Sequence, residues 1–89
     1  MKITIKDCDS ELLLEIEMVS FRMGDNATCQ AVVPYMFPNA DMITSHDLYV
    51  IRVETTAINT EGHARIYEVL PDPQGSLLKI KYDTSTDVQ

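Results

Sequence analysis

The chain has 89 residues, 45% of them apolar, and carries 14 acidic against 7 basic side chains for a net charge of −7. That length suits one domain with one modest core, and the apolar share is too high for a disordered chain. The longest apolar run is four residues, Leu48 to Ile51, far short of the about 20 that a membrane-spanning helix needs. The acidic excess is spread along the chain without a cluster of Lys or Arg, which argues against nucleic-acid binding and against anionic membrane surfaces.

Residues 1–18 carry the clearest pattern. Met1, Ile3 and Ile5 alternate with Lys2, Thr4 and Lys6, and Leu12, Leu14, Ile16 and Met18 alternate with Glu11, Leu13, Glu15 and Glu17. Folding this stretch about Asp7–Ser10 as a four-residue loop pairs Ile5 with Leu12, Ile3 with Leu14 and Met1 with Ile16. The same register sets Lys6 against Glu11 and Lys2 against Glu15 on the other face. Residues 10–23 also read as a helix, because Leu12, Ile16, Val19 and Met23 fall on one stripe between a cap at Asp9 or Ser10 and a stop at Gly24.

Gly24-Asp25-Asn26 signals a turn. Thr28–Val33 is a short strand that Pro34 either confines to an edge or ends. Residues 38–47 read as loop. Leu48–Ile58 is rich in β-branched and aromatic residues, Asn59–Gly62 reads as a turn, Ala64–Leu70 as a strand, Pro71–Gly75 as a breaker and Ser76–Tyr82 as a last strand. The expected fold is therefore mainly β: a five- or six-stranded antiparallel meander, small barrel or sandwich over residues 1–82, with a polar, frayed tail over 83–89. A helix over 10–23 would make it α+β instead.

Motifs that carry chemistry are weak. Cys8, Cys29, His46 and His63 include two metal-ligand types, but no two of them lie within a few residues, as structural zinc sites require. Cys8 stands between Asp7 and Asp9, where like charge disfavours the thiolate a nucleophile needs. Glu11, Glu15 and Glu17 would line one strand face, which reads as a solvated surface balanced by Lys2 and Lys6. The three glycines, Gly24, Gly62 and Gly75, are isolated and form no phosphate loop. No cofactor is expected.

Two widely spaced cysteines, and an N-terminus that alternates like a strand rather than a signal sequence, point to reduced thiols in the cytoplasm. The remaining surface signal is Tyr35-Met36-Phe37, three apolar residues between Pro34 and Pro38. Such a stiff apolar loop either plugs the core or meets a partner protein or a second copy of the chain. The expected role is a non-enzymatic, acidic, homo-oligomeric protein-binding or assembly module, with Tyr35, Met36 and Phe37 as contact residues. Two alternatives stand beside it. One is an acidic inhibitor whose Asp7, Asp9, Glu11, Glu15 and Glu17 imitate phosphates towards a nucleic-acid-binding protein. The other is a small enzyme with His46 or His63 working in a site between subunits.

Overall fold

The fold is taken from a computed structural model, which describes residues 1–35 and 48–83. The described residues form seven strands: β1 (Lys2–Lys6), β2 (Leu12–Glu17), β3 (Ser20–Met23), β4 (Thr28–Val33), β5 (Tyr49–Glu54), β6 (Asn59–Asp72) and β7 (Gly75–Tyr82). All belong to one antiparallel sheet, in the order β2-β1-β5-β6-β7-β4-β3. The expected mainly-β class is the one observed, and the described residues hold seven strands rather than five or six. No helix occurs among the described residues. The stretch 10–23 that also reads as helical is β2 and β3.

The sheet rolls up. In a flat seven-stranded sheet, six spacings of about 4.8 Å would put the two edge strands about 29 Å apart. Here the edges are β2 and β3, and only Met18 and Val19 join them, a link that reaches about 11 Å at most. The two residues face opposite ways along the ladder. The Met18 N–H donates to Met1 O at 2.9 Å and the Val19 N–H to Val32 O at 2.7 Å. β2 and β3 thus act as one bent strand that pairs first with β1 and then with β4, closing the sheet into a small barrel.

Alternation supplies the core. Ile3 and Ile5 from β1, Cys29, Ala31 and Val33 from β4, and Tyr49, Ile51 and Val53 from β5 are buried. Ala64, Ile66, Leu78 and Ile80 add to the interior from β6 and β7, and Met18 from the bend between β2 and β3. In β4 and β5 each buried residue is followed by a half-buried one, the period of two expected when one sheet face is interior.

The opening hairpin has a different register from the expected one. Ile3 faces Ile16 and Ile5 faces Leu14, two residues further along β2. Two local features add up to this shift. The loop holds three residues rather than four: Ser10 N–H donates to Asp7 O and Asp7 N–H to Glu11 O, both at 3.0 Å, and Ser10 has a φ of 68°. This is a type I turn followed by a left-handed residue, a common three-residue hairpin loop. The Asp7 carboxylate completes it by accepting from the Asp9 and Glu11 N–H groups at 2.9 Å. Left alone, that one-residue shift would turn the apolar residues of β2 outward. A bulge between Ile5 and Lys6, with Leu13 as the extra residue, shifts the register again and restores Leu14 and Ile16 to the inner face.

Two further differences concern turns. The β5–β6 turn lies over Thr55–Ile58, not Asn59–Gly62. The Thr55 hydroxyl accepts from Ala57 and Ile58 N–H at 3.2 and 2.9 Å, and the Thr55 N–H donates to Ile58 O. β4 is not an edge, since β3 and β7 pair with it on both sides, so Pro34 simply ends it. Of the earlier expectations, the loop over 38–47 and the tail beyond Asp83 lie outside the described residues.

Candidate functional site

The hairpins divide the barrel into two ends. The upper end carries the β1–β2 turn, the β6–β7 turn, the close of β4 and the start of β5. The lower end carries the β3–β4 and β5–β6 turns, the N-terminus and the close of β7.

At the upper end, the turn chemistry has a visible cost. Leu12 lies opposite Lys6, on the outer face, and Leu13 is the bulged residue. They are 54% and 53% exposed, an unusual placement for two adjacent leucines. Tyr35, at the same end, is 46% exposed. Its backbone is anchored from below. A Cβ built on Gly75 would fall 2.1 Å from Val33 O and 2.8 Å from Tyr35 N, and Gly75 has a φ of +146°. Only glycine lets the β6–β7 turn approach the chain leaving β4 so closely. Cys8 ties the β1–β2 turn to the start of β5, its thiol donating to Leu48 O at 3.1 Å. Tyr35 is thus an exposed contact candidate, whereas Met36 and Phe37 lie outside the described residues.

At the lower end, the barrel interior opens into a groove of about 420 Å³. Phe21 and Met23 of β3 and Val53 and Ile58 of β5 and its turn form apolar walls, and Tyr82 of β7 forms another. The Tyr82 ring lies over Gly62, where a Cβ would sit 3.4 Å from the ring, and its hydroxyl donates to Ile51 O at 2.8 Å. The phenol therefore straps β7 to β5 across β6. Burial pushes its pKa well up, with the Cys29 thiolate and the Glu61 carboxylate adding to the shift. Glu61, His63 and Asp83 also line it, although the register sets Glu61 opposite Arg52 on the outer face. Sequence reasoning passed over this groove, because its walls come from β3, β5 and β7, which adjoin only in the rolled sheet.

The other candidates disperse. Cys29 is buried at the lower end, opposite the exposed Cys8, and both thiols are free. They cannot share a zinc ion or a disulfide at that separation of ends, and His46 lies outside the described residues. Among the described residues no group of three or more His, Cys, Asp or Glu side chains could hold a metal ion. Burial raises the Cys29 thiol to about 11, which keeps it protonated and unreactive near neutrality. The glutamate row of β2 is broken up: Glu11 belongs to the turn, Glu15 lies 3.6 Å from Lys2 Nζ, and Glu17 lies 3.3 Å from the N-terminal ammonium. On the outer face, Lys2, Lys6 and Arg52 share a shallow groove of about 480 Å³ with Glu15, Glu54 and Glu61, three charges of each sign. Arg52 Nε is 3.4 Å from Glu54 Oε1 but not aligned for a hydrogen bond.

Among the described residues no helix is long and apolar enough to cross a membrane. No family model, curated protein or solved structure matches the chain.

Proposed function

We propose that this chain is a non-enzymatic protein-binding or assembly module that associates with a second copy of itself through the upper end of the barrel. The observation that carries this reading is the exposure of Leu12 and Leu13. A register set by the hairpin turn and its bulge presents these two leucines to solvent, beside a turn and at the end of a sheet-edge strand. Exposed, adjacent apolar side chains of this kind favour burial against another chain. Tyr35 belongs to the same end, held in place through Gly75, and Met36 and Phe37 follow it directly in sequence. An aromatic residue on a backbone held at Gly75 loses little entropy on binding. A cytoplasmic location belongs to this reading and is supported by two thiols at opposite ends of the barrel, placed where they cannot cross-link.

Sedimentation velocity over a wide concentration range tests the proposal. The native chain is expected to shift from monomer towards dimer as concentration rises. The Leu12→Asp/Leu13→Asp double variant should remain monomeric, and Phe37→Ala should weaken association. A native chain that stays strictly monomeric throughout would overturn it.

A further inference from the structure

Closing the barrel leaves one side of β3 unpaired. The β3–β4 register runs from Ser20 opposite Val32 to Met23 opposite Cys29, and Gly24 continues it, its N–H donating to Thr28 O at 2.9 Å. Ladder bonds alternate along an antiparallel strand, so Ser20 and Arg22 turn their N–H and C=O groups towards β4. Phe21 and Met23 turn theirs the opposite way. No described strand lies on that side, because β3 is an edge of the sheet. β1 runs beside the β2 half of the bent strand and reaches only to Met1, whose carbonyl accepts the Met18 N–H. Beside β3 its line is continued by the lower groove, with Val53 and Ile58 on the far wall.

The free edge also carries a side-chain pattern. Phe21 and Met23 lie opposite the buried Ala31 and Cys29, so their side chains share the interior face and wall the groove. Arg22, between them, is exposed on the outer face and makes no ion pair among the described residues. Asp72 shares a shallow outer depression with it, on the β4 side and away from the free edge. The complement of such an edge is an extended backbone that exchanges hydrogen bonds with Phe21 and Met23, turns apolar side chains inward and sets a carboxylate opposite Arg22. A second copy of β3 fits poorly. The self-pairing that uses both Phe21 and Met23 sets one Arg22 against the other, and like charges directly opposite destabilise a ladder. We propose that the free edge of β3 accepts an extended segment of another protein as an added strand, its apolar residues alternating with an acidic one that faces Arg22.

The test uses the ¹⁵N-labelled full chain and capped pentapeptides built on Thr-Val-Glu-Val-Thr. Two variants replace the Glu by Gln or Lys, and a third methylates both valine nitrogens. In the free protein the amides of Phe21 and Met23 should exchange with solvent faster than those of Ser20 and Arg22. The Glu peptide should shift the Phe21 and Met23 amides and slow their exchange. One exposed ion pair gives a preference of about two- to fivefold for the Glu peptide over the Gln peptide, with the Lys peptide weaker still. Arg22→Gln should remove that preference, and added salt should narrow it. Methylation takes away the donors to the Phe21 and Met23 carbonyls and should abolish binding. The proposal is overturned if the Phe21 and Met23 amides already exchange slowly in the free chain, or if no peptide moves them up to its solubility limit. It is equally overturned if the methylated peptide binds as well as its parent, or the Lys peptide as well as the Glu peptide. Protection of these amides that grows with protein concentration alone would give the edge to a second copy and overturn it too. Sedimentation of Leu12→Asp/Leu13→Asp reports on the other end, so either idea can fail without the other.

Discussion

Ala27 has a φ of 61° and Asn26 one of 57°. With the Thr28 N–H donating to Asp25 O at 3.1 Å, residues 25–28 form a turn with two consecutive left-handed residues, the type that suits a hairpin and favours Asn-Gly. Asn26 meets that preference and Ala27 does not, since its Cβ crowds the neighbouring carbonyl. Ala27→Gly is therefore expected to stabilise the fold by about 0.5–1 kcal/mol, the left-handed penalty less the extra entropy glycine loses on folding. Chemical denaturation checks this, and a loss of stability would contradict the assigned turn. Cys29 gives a second residue-scale prediction. Its pKa rises from 9.0 in the open chain to about 11 in the fold. A raised acid pKa means that the unfolded chain loses the proton first, so stability is full below about pH 9 and falls as pH climbs towards 11. In the native protein at pH 8, a thiol reagent should modify the exposed Cys8 rapidly and Cys29 only after denaturant is added. Rapid modification of both would show that Cys29 is not buried.

At the scale of elements, pairing geometry matters more than propensity. β6 is fourteen residues long, and only its first half pairs with β5. From Ala64 onward it pairs with β7, on both sides of a bulge that leaves Tyr67 as the extra, exposed residue. The bulge bends the strand so that it can follow the curve of the barrel. At the far end the β6–β7 turn is tight, with Gln74 N–H donating to Asp72 Oδ2 at 3.0 Å. Gly75 then packs directly on the Val33–Tyr35 backbone. Gly75→Ala forces a Cβ into backbone atoms at a left-handed φ, so both the turn and the close of β4 must move. A loss of at least about 2 kcal/mol is expected, read as a lower denaturation midpoint. Amide shifts should move furthest at Val33 and Tyr35. A near-neutral effect would mean that the two segments are not in contact.

For the whole molecule, the barrel separates two kinds of surface. The upper end presents Leu12, Leu13 and Tyr35, and the sedimentation test belongs there. The lower end presents a concave apolar groove. Between the ends lies the core, where Ile3, Ile51, Ile66, Leu78 and Ile80 are essentially inaccessible. A surface substitution at one end should therefore leave the other end unchanged, as distant sites usually behave additively.

Period-two alternation, β-branched runs and turn residues were enough to read the class from the sequence, because each is a local property. Thr28–Val33 was legible at both boundaries, since Pro34 cannot extend the ladder. The opening hairpin was legible as a hairpin, and an ion pair of Lys2 with Glu15 survives the change of register. The register itself was not legible. It depends on Ser10 adopting a left-handed φ and on one inserted residue at Leu13, and a three-residue and a four-residue loop share the same polar composition. The helical reading of 10–23 failed for a non-local reason: the stripe of apolar residues is also satisfied by a strand that bends at Met18 and pairs with β1 and β4 in turn. Of the expected contact residues, only Tyr35 belongs to the described structure, and the groove at the other end left no signature in the chain. Its walls lie up to about 60 residues apart in sequence, from Phe21 to Tyr82. Local chemistry alone determined that this protein is an acidic β fold. Where its apolar side chains face outward, and where its interior opens, was decided only when the sheet closed on itself.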